Sequence, residues 1–166
     1  MNKKFHIPIF FLIISTFIAC NSDETCRKSR IVNMSLHFYK DTINLKRDTV
    51  SLALSLDSIT AYGLQNDSIL YKKVRSKSSI TLPLNQFAEK SQFVLKSNGI
   101  YDTLTVYYKN KNEYLSLECG AVRVHQIDSV SITKHFFHYT TITNKDVNTT
   151  TTSSNAENIK IHHFIK

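Results

Sequence analysis

Apolar side chains recur at every second position from Val32 onward: Val32, Met34, Leu36 and Phe38 alternate with Asn33, Ser35 and His37. Successive residues of a strand point to opposite faces, so a period of two makes one face apolar and the other polar. The same alternation returns at Leu52, Leu54 and Leu56 against Ser51, Ala53 and Ser55, and at Leu104 and Val106 against Thr103, Thr105 and Tyr107. A chain written this way is committed to sheets. Composition agrees, with only three Gly and two Pro beside many Thr, Ser, Tyr and Phe, a mixture that suits strands.

Further strands are predicted over Ile59–Leu64 and Ile69–Val74, around the turn-forming Gln65-Asn66-Asp67-Ser68. Ile80, Leu82 and Leu84 form the next, with Pro83 on the opposite parity, which suits an edge because proline cannot donate to the ladder. Over Leu84–Lys90 one helical turn is the reading. Asn98-Gly99 between Phe93–Lys96 and Ile100–Tyr108 is the strongest short hairpin signal. After a polar turn at Lys109–Asn112, Tyr114–Cys119 reads as a strand with Leu115, Leu117 and Cys119 on the core face. Val122–Ile132 follows with a break near Gln126–Ser129, then Phe136–Ile142. Residues 148–158, rich in Thr and Ser, read as a flexible loop, and Ile159, Ile161 and Phe164 as a last edge strand. This predicts one all-β domain, a two-sheet antiparallel sandwich of immunoglobulin-like architecture, with a barrel as the alternative. The chain has no Trp, so the Trp packed on a disulfide in antibody domains is absent.

The N-terminus sets the address. Lys3 and Lys4 precede an apolar run, Ile7 to Ile18, broken by Pro8, Ser15 and Thr16 and closed by Ala19-Cys20. The run is shorter than the roughly 20 residues a spanning helix needs. It has the shape of an export signal, and its ending resembles a bacterial lipobox, with Cys20 acylated as the mature N-terminus. Ordinary secretory cleavage is the alternative. The expected organisation is a signal peptide over 1–19, a lipidated tether over 20–29 and a sandwich domain over 30–166. Loss of Lys3 and Lys4 lowers the formal net charge by two from +8. Lys72-Lys73-Val74-Arg75-Ser76-Lys77 is the one dense basic patch. On an exported protein it reads as a solvated loop or a lysine-protected edge, with anionic envelope polymer as the other partner to consider and nucleic acid not expected. With Cys20 lipidated, Cys26 and Cys119 remain, most simply a disulfide in an oxidising compartment.

Asp23-Glu24-Thr25-Cys26, Leu36-His37-Phe38-Tyr39, Asp102-Thr103-Leu104, Glu118-Cys119-Gly120 and Ile159-Lys160-Ile161 together resemble a family of small Bacteroidota lipoproteins known only as a domain of unknown function, of the 6452 type. The resemblance implies the lipoprotein address, in the cell envelope at the outer membrane, and the Cys26–Cys119 pairing. It implies no activity.

Five histidines crowd the last quarter: His125, His135, His138, His162 and His163. Imidazole binds zinc or copper, so His135, His138, His162 and His163 are the candidate metal ligands. On strands, however, residues one or three apart face opposite ways, and no Cys or carboxylate stands at ligand spacing. No metal or other cofactor is expected. Carboxylates at Asp57, Asp67, Asp102, Asp128 and Asp146 fall where Asp turns or caps the chain. The sequence has no Gly-x-Ser-x-Gly elbow, no glycine-rich phosphate loop and no His-Glu-x-x-His. No catalytic residue is therefore expected. Tyr107, Tyr114 and Tyr139 are the candidate binding surface, since the doublets Tyr107-Tyr108 and Phe136-Phe137 each turn one ring outward. The functional reading is a non-catalytic binding or structural accessory lipoprotein with an envelope protein or glycan partner. A metal-binding lipoprotein and, behind it, a glycan hydrolase are the alternatives.

Overall fold

The computed structural model describes Cys26, Arg30 and residues 32–65, 68–153 and 156–165. The signal segment, Cys20, the tether apart from Cys26, and Asn66-Asp67 lie outside the described residues. In chain order the strands are β1 (Asn33–Ile43), β2 (Thr49–Ala53), β3 (Ile59–Gly63), β4 (Ile69–Val74), β5 (Ser79–Pro83), β6 (Lys90–Ser97), β7 (Ile100–Ser116), β8 (Gly120–Ile132), β9 (Tyr139–Ile142), β10 (Asp146–Val147) and β11 (Ile159–Phe164). A short helix, α1 (Thr149–Ser153), precedes β11.

Two sheets enclose one core. The five-stranded sheet runs β2-β1-β11-β9, and β5 also pairs with β1. The six-stranded sheet runs β10-β8-β7-β6-β3-β4. Met34, Leu36, Phe38, Ile80, Leu82, Ile159 and Ile161 from the first meet Ile59, Ala61, Phe93, Leu95, Leu104, Val106 and Ile127 from the second. Each fully buried Val, Leu, Ile, Met or Phe among them contributes about 1.5–3 kcal/mol of transfer free energy. Phe137 closes the core beside Phe38, with ring centroids 5.5 Å apart.

The alternation in β1 does what its parity requires, with Met34, Leu36 and Phe38 buried inward. Its eleven residues are long enough to take two antiparallel partners along one edge, β5 against Asn33–His37 and β2 against Tyr39–Ile43. Pro83 sits at the end of β5, an edge strand, where its missing N–H costs no bond. Asn98 and Gly99 adopt φ values of 49° and 81°, the left-handed pair that a two-residue hairpin needs.

Several expectations are corrected. The sandwich is not wholly antiparallel: β11 lies between β1 and β9 and runs parallel to β1. It is thus an interior strand instead of a last edge, which explains why Ile159 and Ile161 are fully buried. The polar stretch Lys109–Asn112 does not turn; it continues β7 through seventeen residues. Its side chains are satisfied across the ladder, Lys111 donating to Gln126 at 2.7 Å and Asn112 accepting from Arg123 at 2.9 Å. The break foreseen near Gln126–Ser129 is a bulge within β8, opposite Tyr107 and Tyr108. The strand expected to run to Cys119 stops at Ser116, and residues 117–119 turn into β8. Leu117 is 96% exposed instead of facing the core. Leu84–Lys90 has no helical turn.

Within the Thr/Ser-rich 148–158 segment, α1 is a built element. Asn148 Oδ1 accepts the Thr151 N–H at 2.8 Å, a capping bond, and the Thr152 hydroxyl accepts the Asn33 N–H at 3.1 Å. Buried Asn158 then anchors the start of β11. Its Oδ1 accepts from Ser35 N–H at 2.9 Å, and its amide donates to the Asn144 and Asp146 carbonyls. Cys26 and Cys119 form a disulfide with Cα atoms 5.2 Å apart, and Arg30 donates to the Cys119 carbonyl at 2.7 Å. The bridge joins the domain's start to the β7–β8 turn, where Cys119 is half-buried, and not to the middle of the sheet.

Candidate functional site

The outer face of the six-stranded sheet carries a hollow of about 570 Å³. Its floor is a cross-strand row, because Thr60 of β3 is in register with Lys96 of β6, and Lys96 with Tyr101 of β7. Lys96 Nζ donates to the Tyr101 hydroxyl at 2.6 Å and lies 4.5 Å from the centre of its ring. Tyr62 and Ile69 form another side, and Asn98-Gly99 of the hairpin the rim.

The wall at β4 depends on an irregularity. Ile59 pairs with Val74 but Ala61 with Tyr71, so β4 bulges between those points. Lys73 takes a left-handed φ of 49°, and its N–H donates to Thr60 Oγ1 at 3.1 Å. In a regular strand two neighbours face opposite sides. The bulge brings Lys72 and Lys73 to line the same hollow. Among the described residues, none of Lys72, Lys73 and Lys96 is paired with a carboxylate, and the described lining contains no Asp or Glu.

A second polar constellation lies on the five-stranded sheet. Asp41, fully buried, accepts from the Ser51 and Tyr139 hydroxyls at 2.5 Å each and from His162 Nδ1 at 3.1 Å. Burial by itself would raise the Asp41 pKa. The three donors outweigh it and hold the carboxyl below its ordinary value. Burial and the Asp41 charge push Tyr139 up to about 12. His162 stacks on Tyr139 with centroids 4.2 Å apart, and its Nε2 is buried without a hydrogen-bond partner among the described residues. Serine, histidine and aspartate are all present, but the order is wrong for nucleophilic catalysis. The carboxylate sits between the other two, so the imidazole does not reach the serine hydroxyl it would have to deprotonate.

Asp102 shows the same logic. It stands on the inward parity of β7 and accepts four hydrogen bonds of 2.8–2.9 Å, from the Thr133 hydroxyl and the N–H groups of His135, Phe136 and Phe137. Burial is again outweighed, here by backbone donors, and its pKa falls. The carboxylate shapes the loop that delivers Phe137 to the core.

The histidines proposed as metal ligands are dispersed. His135 is exposed, 3.3 Å from Asp102; His162 is bound to Asp41. His138 and His163 meet with ring centroids 5.5 Å apart, but His163 Nδ1 donates to the Phe136 carbonyl at 2.7 Å and His138 Nδ1 accepts the Phe164 N–H at 3.1 Å. Among the described residues no group of three or more His, Cys, Asp or Glu could hold a metal. His125 is buried against Tyr108, and burial, helped by the Arg123 charge, lowers its pKa to about 4.

The tyrosines do not converge either. Tyr107 is exposed on the outer face with Lys90 5.7 Å from its ring centre, Tyr114 is exposed seven residues farther along β7, roughly 23 Å away at strand rise, and Tyr139 belongs to the other sheet. Tyr107 faces out and Tyr108 in, as the doublet predicts. What sequence reasoning missed is the hollow: Lys72-Lys73 was visible as a basic run, but its meeting with Tyr62, Lys96 and Tyr101 follows from register. Asp41 was missed as well, because it stands on the polar parity with Ser35, His37 and Tyr39.

No curated protein and no solved structure matches this chain. A family model described as a family of unknown function matches residues 58–163, which span β3 to β11 almost to its end and include Cys119 and every residue around the hollow. That is well over half of the sequence, and the chain belongs to the family of unknown function DUF6452.

Proposed function

We propose that the protein is a non-catalytic binding component of a bacterial cell envelope. A lipid on Cys20 holds it to the outer membrane, and an immunoglobulin-like sandwich presents the outer face of its six-stranded sheet to an envelope glycan or protein. The observation that carries this reading is the hollow itself, a concave, lysine- and tyrosine-lined site on one sheet face. The buried carboxylates Asp41 and Asp102, by contrast, are consumed in holding strands and a loop. The Cys26–Cys119 bridge supports an oxidising compartment. Lipobox-like Ala19-Cys20 supports the anchor.

Two measurements test it. Cys20→Ala should move the protein from the membrane fraction to the soluble one; unchanged fractionation removes the anchor. The released protein should then co-sediment with isolated envelopes, and Tyr62→Ala with Tyr101→Ala should cut that retention severalfold while His135→Ala with His138→Ala leaves it intact. Retention indifferent to the two tyrosines removes the binding face.

A further inference from the structure

Lysines on β4 have an ordinary use, since β4 is the outermost strand and edge charges discourage pairing with other chains. Three facts exceed that use. Lys96 lies on β6, an interior strand. The bulge turns two adjacent lysines into one hollow, where edge protection would need them only along the edge. Lys73 also holds a left-handed conformation, which is unfavourable for a residue that carries a side chain. The result is a concentrated positive potential in a concavity walled by two tyrosine rings.

We propose that this hollow binds an anionic saccharide, a sugar carrying a carboxylate, sulfate or phosphate, with the anion between Lys72 and Lys73 and a ring against Tyr62 and Tyr101. The inference rests on the binding-face reading and names its ligand class. Tyrosine offers an apolar body for sugar C–H groups and a polar tip, and Thr60 and Asn98 add hydroxyl and amide partners at the floor and rim. The volume lies within the ordinary range for small-ligand sites, about 300–1,000 Å³. Lys96, already bonded to Tyr101, is a positioning residue that fixes the ring. A single-stranded nucleic acid would need a basic track along several nucleotides, whereas the charge here is gathered in one hollow.

The test is calorimetric titration of the full chain in detergent with digalacturonate and a sulfated heparin disaccharide, against neutral lactose. At least one acidic sugar should bind about tenfold or more tighter than lactose, and its affinity should fall several-fold as NaCl rises from about 20 to about 200 mM. Lys72→Ala with Lys73→Ala should lose at least about tenfold, as loss of hydrogen bonds to a charged group implies. Lys90→Ala, on the same face but outside the hollow, should lose nothing. Lys96→Ala should weaken both the acidic sugar and lactose, since the Tyr101 ring loses its brace, and the acidic sugar by the larger factor, since one of the three positive charges of the hollow goes with it. Equal binding of lactose, indifference to the lysine pair, or no acidic sugar bound at about 5 mM overturns the proposal. A thymidine oligonucleotide bound through the same lysines, with no sugar bound, overturns it too. In each case the envelope co-sedimentation above decides separately whether the face binds at all.

Discussion

Asp102 is 1% exposed and gathers three successive backbone N–H groups and one hydroxyl. Removing it strands those donors. Asp102→Ala should cost about 3 kcal/mol or more, because hydrogen bonds to a charged group are worth about 1.5–3 kcal/mol each and their loss leaves donors unmet; denaturant midpoints measure it, and a loss below about 1 kcal/mol would contradict the role. Acid acts in the same direction at three residues. The His125 pKa is lowered, so the folded state disfavours its protonation, and the stability it holds above about 6.5 drains away as pH falls toward about 4. Asp41 and Asp102 are also depressed, so their contribution is full above the unfolded value near 4 and is lost as pH falls through their folded values. Thermal midpoints followed from pH 7 to 4 should decline, and His125→Gln, which retains a donor for Asn110, should flatten that decline. An unaltered slope in the variant would assign the loss to other groups.

At the scale of elements, the bulge in β4 couples strain to the hollow. Lys73→Gly removes the left-handed penalty and a ligand-facing ammonium together. It should leave stability equal or slightly higher, though glycine's greater unfolded-state freedom offsets part of the gain, while weakening retention on envelopes. A loss of more than about 1 kcal/mol would show that the Lys73 side chain is structural. Elements built on local alternation or turn chemistry were legible in the sequence: β1, β3 to β5, and the hairpin at Asn98-Gly99. Those set by distant partners were not. Lys109–Asn112 reads as a turn until β8 supplies Gln126 and Arg123 opposite it. Likewise β11 reads as an edge until β1 and β9 flank it, and α1 needs the contact of Thr152 with Asn33. The hollow belongs to this second kind, since its lysines and tyrosines come from four strands.

The described residues form a two-sheet body tied by a disulfide across 93 residues. In the chain-entropy account a loop of that size stabilises the fold by roughly 4 to 5 kcal/mol. Reduction, or Cys119→Ser, should lower the melting temperature markedly, and alkylation of the unreduced protein should label neither Cys26 nor Cys119. In the proposed function, the working surface is the outer face of the six-stranded sheet. Site-specific photo-crosslinking in intact envelopes tests it most directly, with the reactive group in place of Ile69 at the hollow or in place of Thr141 on β9 of the other sheet. Adducts are expected from position 69 and none from position 141. Adducts from position 141 alone, or from neither, would contradict it.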